Sequence, residues 1–211
     1  MNDFPYIPVS PESITKRKLV RGVGINDAFY NPRPYVQGIR KHCPYYMAWV
    51  TMFTRCYSQE FQSKYTAYQG CSVHSDWHLF STFKTWMETQ DWKGKALDKD
   101  ILVPNNKVYS EDTCVFVDQA INNLLTDHRA ARGELPQGVT RKDTKSKPMF
   151  QAELSKWGKS KYLGTFPTPE LAHEVYRKAK ATHIKLIALT QSTRVMTALN
   201  TYADNLLKTT C

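Results

Sequence analysis

The chain has 211 residues and a formal net charge of +10 at neutral pH, with a pI near 9.3 and a mean hydropathy of −0.53. No apolar run approaches the roughly 20 residues of a membrane span, and Met1-Asn2-Asp3-Phe4-Pro5 lacks the basic region and apolar stretch of a signal peptide. A soluble intracellular protein is the expectation from these features, and the positive charge favours a polyanionic partner, most often nucleic acid.

Residues 1–43 carry many prolines and the basic cluster Lys16-Arg17-Lys18 with Arg21. They read as an extended arm with little regular structure, either lying along phosphates or solvated. From Pro44, the i, i+3, i+4, i+7 spacing of Trp49, Met52, Phe53 and Cys56 predicts an amphipathic helix, and Pro44 suits its first turn. Tyr65 to Val73, with Gly70, reads as a turn and a short strand. A second helix is expected over about Ser75–Thr89, with Trp77, Phe80, Phe83 and Met87 facing a core. These aromatic stripes read as packing.

Leu97-Asp98-Lys99-Asp100-Ile101-Leu102 alternates polar and apolar residues, as a half-buried strand does. Val103-Pro104-Asn105-Asn106-Lys107 is a loop, and Thr113-Cys114-Val115-Phe116-Val117 a returning strand. Asp118 then caps a helix to about Arg129, with Ala120, Ile121, Leu124 and Leu125 apolar. The five cysteines (Cys43, Cys56, Cys71, Cys114 and Cys211) fit no zinc spacing, and Cys56 and Cys114 read as reduced core thiols.

Arg132-Gly133-Glu134-Leu135-Pro136-Gln137-Gly138 reads as a linker. Beyond it, strands are expected near 137–142, 149–155 and 160–166. A helix follows near 168–185, with Thr168 as N-cap, Pro169 at its first position and Leu171, Val175, Ala179 and Leu186 along one side. From Arg132 to Lys185 there are twelve Lys/Arg against five Asp/Glu, a concentration that fits a binding face. The tail has helical spacing in Val195, Leu199, Tyr202 and Leu206. It either packs back or serves a partner. The expected class is α+β. The expected domains are an arm (1–43), a helical and ββα module (44–131), a three-stranded antiparallel sheet packed on one helix (132–188) and a C-terminal helix (189–211).

Two resemblances add to this reading. Leu97-Asp98-Lys99-Asp100, Tyr109-Ser110-Glu111-Asp112-Thr113-Cys114 and Asn122-Asn123 resemble the HNH, or ββα-metal, cores of phage homing-type endonucleases. Trp49, Arg55-Cys56-Tyr57, Gly70, Trp77, Phe80, Phe83 and Trp86 fit the same proteins upstream. The resemblance covers roughly residues 22 to 130. It implies a divalent metal, magnesium with manganese as an alternative, held by Asp98, Asp100 and Asn122. It places Lys99 where the base histidine usually stands and Thr113 where an asparagine braces the loop. The implied catalytic set is therefore Asp98, Lys99, Asp100, Thr113 and Asn122.

Gly138-Val139, Phe150, Ala152-Glu153-Leu154, Tyr162-Leu163-Gly164-Thr165-Phe166 and Glu170-Leu171-Ala172 resemble the Apetala/ethylene-response-factor DNA-binding domain, whose sheet enters the major groove. That implies contact with double-stranded DNA through Thr140, Arg141, Lys142, Lys145, Lys147, Gln151, Glu153, Lys159, Lys161 and Tyr162. Leu154, Leu163 and Phe166 would pack on the helix. Usual base-reading arginines are replaced by Thr140, Ser155 and Ser160, which points to phosphate contacts and modest sequence preference. Two functions fit the resemblance, a metal-dependent endonuclease that nicks double-stranded DNA and a catalytically inactive DNA-binding protein derived from the same scaffold; a third, RNA binding, fits the charge equally but not the resemblance. In the first two, the expected location is the cytoplasm of an infected bacterial host.

Overall fold

The computed structural model describes residues 4–126, 133–143, 147–156 and 159–208. The chain is mixed α+β and divides into two compact units, residues 1–118 and 119–211.

The first unit is organised by aromatic side chains on two helices. Helix α1 (Pro11–Thr15) is a short exposed turn, whereas α2 (Pro44–Tyr57) buries Tyr46, Trp49, Met52, Phe53 and Cys56, the stripe expected from its spacing. Ser58 ends α2 through its N–H to the Thr54 carbonyl. Its hydroxyl also accepts from the Phe61 N–H, capping α3 (Gln59–Lys64). The expected helix over 75–89 is divided: a 3-10 turn at Ser75–His78 precedes α4 (Phe80–Glu88), which buries Phe80, Phe83, Trp86 and Met87. Trp49 joins these elements, because its Nε1 donates to the Trp77 carbonyl at 2.7 Å and its ring lies 4.7 Å from Phe53 and 5.5 Å from Phe80. A buried indole N–H needs such a partner.

Short strands complete this unit. The β1–β2 hairpin (Tyr35–Val36 with Ile39–Arg40) is antiparallel, and β3 (Ser72–Val73) runs parallel to β5 (Val108–Tyr109). Strand β4 (Ala96–Asp98) pairs antiparallel with β6 (Val115–Val117), Leu97 opposite Phe116. The expected strand over 97–102 thus stops at Asp98, where the chain turns.

Residues 17–43 are not the extended arm that their prolines imply. The Arg17 guanidinium donates to the carbonyls of Asn26 (2.8 Å), Ala28 (2.7 Å) and Tyr30 (3.2 Å). Asp27 accepts from the Ser81 N–H at 2.9 Å and its hydroxyl at 2.5 Å, which caps an α4 terminus whose own N-cap, Leu79, offers no side-chain acceptor. Ala28, Tyr30 and Cys43 are core residues. The reason is local hydrogen-bond demand: buried carbonyls and helix N–H groups need partners, and this segment supplies them or uses them.

The second unit begins with α5 (Gln119–Leu125), whose expected extension to Arg129 lies outside the described residues. Ile121 is buried while Ala120 is exposed. Helix α5 goes with this unit rather than with the module before it: the Tyr202 hydroxyl donates to the Leu125 carbonyl at 3.4 Å, and Gln137 Nε2 to that of Thr126 at 3.4 Å.

Strands β7 (Val139–Asp143), β8 (Pro148–Lys156) and β9 (Lys159–Phe166) form an antiparallel sheet in the order β7-β8-β9. Helix α6 (Pro169–Ala188) packs on it; the Thr168 hydroxyl accepts from the Leu171 N–H and Pro169 occupies the first turn. Its buried face runs through Ala172, Tyr176, Lys180, His183, Ile184 and Ala188, so the expected stripe is displaced and Leu171 and Leu186 face solvent. The displacement follows from size. Ala172 meets Val139 and Ala152 at the centre of a thin core, and Gly138 (φ +75) lies so close to the Tyr176 ring that a Cβ there would come within 2.0 Å of it. Only small residues permit that approach.

Helix α7 (Thr193–Lys208) packs back on α6, burying Val195, Leu199 and Ala203, with Lys185 and Asp204 paired at 2.7 Å. Among the described residues no helix is long and apolar enough to cross a membrane.

Candidate nucleic-acid interface and nuclease-like centre

At the end of β4, the Asp98 carboxylate does backbone work. Its Oδ1 accepts the N–H groups of Asp100 (2.7 Å) and Ile101 (2.8 Å), so the chain bends immediately after Asp98 and the strand cannot continue. Burial raises the Asp98 pKa above its ordinary value, opposed by those two N–H groups; the Asp100 carboxylate adds to the rise.

Lys99 is 4 % exposed. Its Nζ donates to both Asp100 carboxylate oxygens (2.7 and 2.8 Å) and to the Asn106 carbonyl (2.7 Å). Asn106 completes the closure: its amide donates to the carbonyls of Lys99 and Val108, and its Oδ1 accepts the Val108 N–H. The loop from 99 to 107 is therefore tied at its neck by one ammonium and one amide. A lysine held by three acceptors as an ammonium is a poor general base. Asn106 is not among the residues that the motif comparison singles out, although an Asn-Asn pair in a loop is the ordinary signal for a side chain that bonds its own backbone.

Thr113 stands where the resemblance calls for a bracing asparagine, and its hydroxyl braces the turn. It donates to the Val108 carbonyl at 2.7 Å, lies 2.9 Å from the Ser110 hydroxyl and accepts the Ser110 N–H at 3.2 Å. Cys56 and Cys114 are buried thiols, each pushed up to about 12 by desolvation, and are unreactive core residues as expected.

As arranged, these side chains do not fit a divalent cation. The Asp100 oxygens already face an ammonium and one Asp98 oxygen holds two N–H groups. The alternation that would put Asp98 and Asp100 on one strand face does not apply, because Asp100 lies beyond the strand. Among the described residues no group of three or more His, Cys, Asp and Glu side chains is placed to hold a metal. A cleft of about 590 Å3 in the same unit is lined by His74, Asp76, Trp86, Ser110, Glu111 and Asp112 among others, and by none of Asp98, Lys99, Asp100, Thr113 and Asn122. Its carboxylates would repel a phosphate backbone.

The sheet of the second unit presents a different chemistry. Register fixes which side chains share a face. Val139, Ala152 and Leu154 point to α6, so Thr140 and Lys142 on β7, with Gln151 and Glu153 on β8, point away from it. On β9 a bulge leaves Leu163 without a partner between the pairs Ala152–Gly164 and Glu153–Tyr162. The extra residue lets Leu163 and Phe166 both pack on the core while Tyr162 and Thr165 stand on the outer face.

That outer face is a connected polar surface. Glu153 accepts from the Gln151 amide and, at 2.8 Å, from the Ser160 hydroxyl, and the hydroxyls of Tyr162 and Thr165 lie 2.9 Å apart. Tyr162 is 58 % exposed.

The basic residues that the resemblance assigns to DNA do not all lie on this face. Lys142 stands on it, but Arg141 alternates to the Val139 side, where it pairs with Asp143 at 2.8 Å. Lys161 is opposite Leu154 and Lys159 alternates with it, so both project from the helix side at the far end of the sheet. They are exposed, as is Lys147 before β8; Lys145 lies outside the described residues. The cause is the two-residue period of a strand, which sends neighbouring lysines to opposite faces. The outer face therefore carries one of these cations, Lys142, beside its hydrogen-bonding groups, while Arg141, Lys159 and Lys161 project from the other face.

No known protein family matches the sequence, and no curated protein or solved structure matches it.

Proposed function

We propose that this chain is a double-stranded-DNA-binding protein whose second unit lays the outer face of its three-stranded sheet on the duplex, and whose first unit keeps an HNH-like scaffold without its chemistry. The observation that carries the reading is the sheet itself. A row of hydroxyl, amide and phenol groups, with Lys142 among them, is backed by a packed helix, and Lys147, Lys159 and Lys161 stand exposed towards the ends of the sheet. A narrow β-sheet of this kind fits the major groove, where base edges differ. Hydroxyls and lysines suit phosphate oxygens, which position a protein without conferring strong sequence preference. Electrostatic binding of this type weakens steeply with salt.

The non-catalytic reading of the first unit rests on Lys99. The side chain at the base position is a buried ammonium engaged by Asp100 and Asn106. The second reading, a magnesium- or manganese-dependent endonuclease that nicks DNA, is favoured by one observation: Asp98 and Asp100 are close enough for the charge of one to raise the pKa of the other. It requires Lys99 to release Asp100.

The test is a supercoiled-plasmid assay beside a duplex-binding assay, with magnesium or manganese, EDTA, and the variants Asp98→Ala and Asn122→Ala. Salt-sensitive binding without nicking is the expected result. Metal-dependent nicking abolished in both variants would replace it with the endonuclease reading.

A further inference from the structure

A second positively charged element stands in the first unit, outside the nuclease-like residues. Between Asp27 and Glu60 the sequence contains no carboxylate side chain, while it contains Arg33, Arg40, Lys41 and Arg55. The β1–β2 hairpin lies within this stretch. Its two central residues, Gln37 (φ 51) and Gly38 (φ 74), both have left-handed backbone, the geometry of the tight turn that matches strand twist.

The base of the hairpin is anchored and its tip is bare. Pro32, Pro34 and Cys43 are buried, the Lys41 N–H donates to the Pro34 carbonyl at 2.8 Å and the Cys43 N–H to that of Pro32 at 2.9 Å. The Tyr30 hydroxyl lies 3.3 Å from Cys43 Sγ in the core. Residues 37–42 are all exposed, Tyr35 is 63 % and Ile39 61 % exposed, and the Arg40 guanidinium lies over the Tyr35 ring at 4.7 Å. Among the described residues neither Arg40 nor Lys41 makes an ion pair.

The hairpin exposes one large apolar side chain on each face, Tyr35 on one and Ile39 on the other, beside Arg40 and Lys41. The local charge calls for an anionic occupant. An acidic protein surface would serve equally on charge, but the narrow projecting ribbon, with cations flanking apolar groups, has the shape and chemistry of a groove reader.

We propose that the hairpin is a second DNA contact, entering a groove of the duplex with Arg40 and Lys41 on phosphates and Tyr35 and Ile39 against the groove wall. This rests on the reading of the chain as a duplex-binding protein, and it makes that binding bipartite: one contact from each unit.

The experiment uses the full-length protein and a short fluorescent duplex, with affinity followed across a salt series. The variants are Arg40→Ala/Lys41→Ala, Ile39→Ser and Lys142→Ala, each checked for an unchanged melting temperature. The double variant is expected to reduce the slope of log affinity against log salt by about 2, one for each phosphate that is no longer neutralised. Ile39→Ser is expected to weaken binding with the slope unchanged, because an apolar contact releases no counterions. If the wild type binds and Lys142→Ala lowers the slope while both hairpin variants leave affinity and slope unchanged, the hairpin is no DNA contact and the proposed function stands without it. If the wild type binds no duplex, both fail.

Discussion

The two units handle charge in opposite ways. In the first, several charged side chains are engaged by the chain's own backbone: Arg17 ties together three carbonyls, Asp27 caps a helix, Lys99 closes a loop and Asp98 turns a strand. In the second, Lys142, Lys147, Lys159 and Lys161 stand exposed around a small sheet. The difference follows from architecture. Strands of two or three residues leave many backbone groups without ladder partners, and buried groups of that kind need hydrogen bonds. Long paired strands satisfy their own backbone and leave side chains available for a ligand.

The largest effect should come from the core of the first unit. Trp49→Ala removes a fully buried indole and leaves the Trp77 carbonyl without its donor, so a loss of about 3–5 kcal/mol is expected in denaturant unfolding of that unit. A much smaller loss would show that the aromatic stripe is not what holds the unit together.

Gly138→Ala probes the second unit in a different way. The positive φ and the approach of the Tyr176 ring both oppose a Cβ, and a destabilisation of about 2–4 kcal/mol is expected there. The readout is the thermal transition of that unit together with duplex affinity, which should fall only at temperatures where the sheet melts.

Lys99→Met sharpens the contrast most directly. If the ammonium is a structural tie, the variant loses about 1–3 kcal/mol of stability, and restoring a cation with Lys99→Arg recovers only part of it because the planar guanidinium cannot reproduce the three acceptors. Unchanged stability with altered nicking would instead make Lys99 part of an active site.

The smallest effect concerns pH. Asp98 has a folded-state pKa raised above its unfolded value, so the folded protein holds that proton more tightly. Its contribution to stability is therefore present below the ordinary aspartate value of 3.8 and is lost as pH rises through the raised folded value. Asp98→Asn keeps an acceptor oxygen for the two N–H groups and removes the ionisation, and its stability should exceed that of the wild type at neutral pH relative to acid. A variant that loses stability at every pH would mean that the carboxylate charge itself is needed.

Much of the second unit was legible because its signals are local. Thr168 and Pro169 mark a helix start by cap chemistry, and alternation over strands of five to nine residues marks three strands closely. The same alternation, applied strand by strand, would have sent Arg141 and Lys142 to opposite faces, but the Leu163 bulge on β9 follows only from pairing with β8. In the first unit the helical stripe through Trp49, Met52, Phe53 and Cys56 was equally legible. The end of β4 was not, because the Asp98 turn competes with a good alternating pattern and wins through two hydrogen bonds.

The sequence alone determined the helices with strong apolar period, the three-stranded sheet with its following helix, and the concentration of positive charge. Those depend on neighbours within a turn or a strand. Tertiary structure decided the rest. It folded residues 17–43 onto the core, because Arg17 ties together carbonyls of the same segment and Asp27 answers the N–H of Ser81, far along the chain. It buried Lys99 as an ammonium, because Asn106 and Asp100 are brought to it only when the loop closes. It also left the 35–40 hairpin exposed, because the prolines and Cys43 that anchor it find their places in a core that no local pattern specifies.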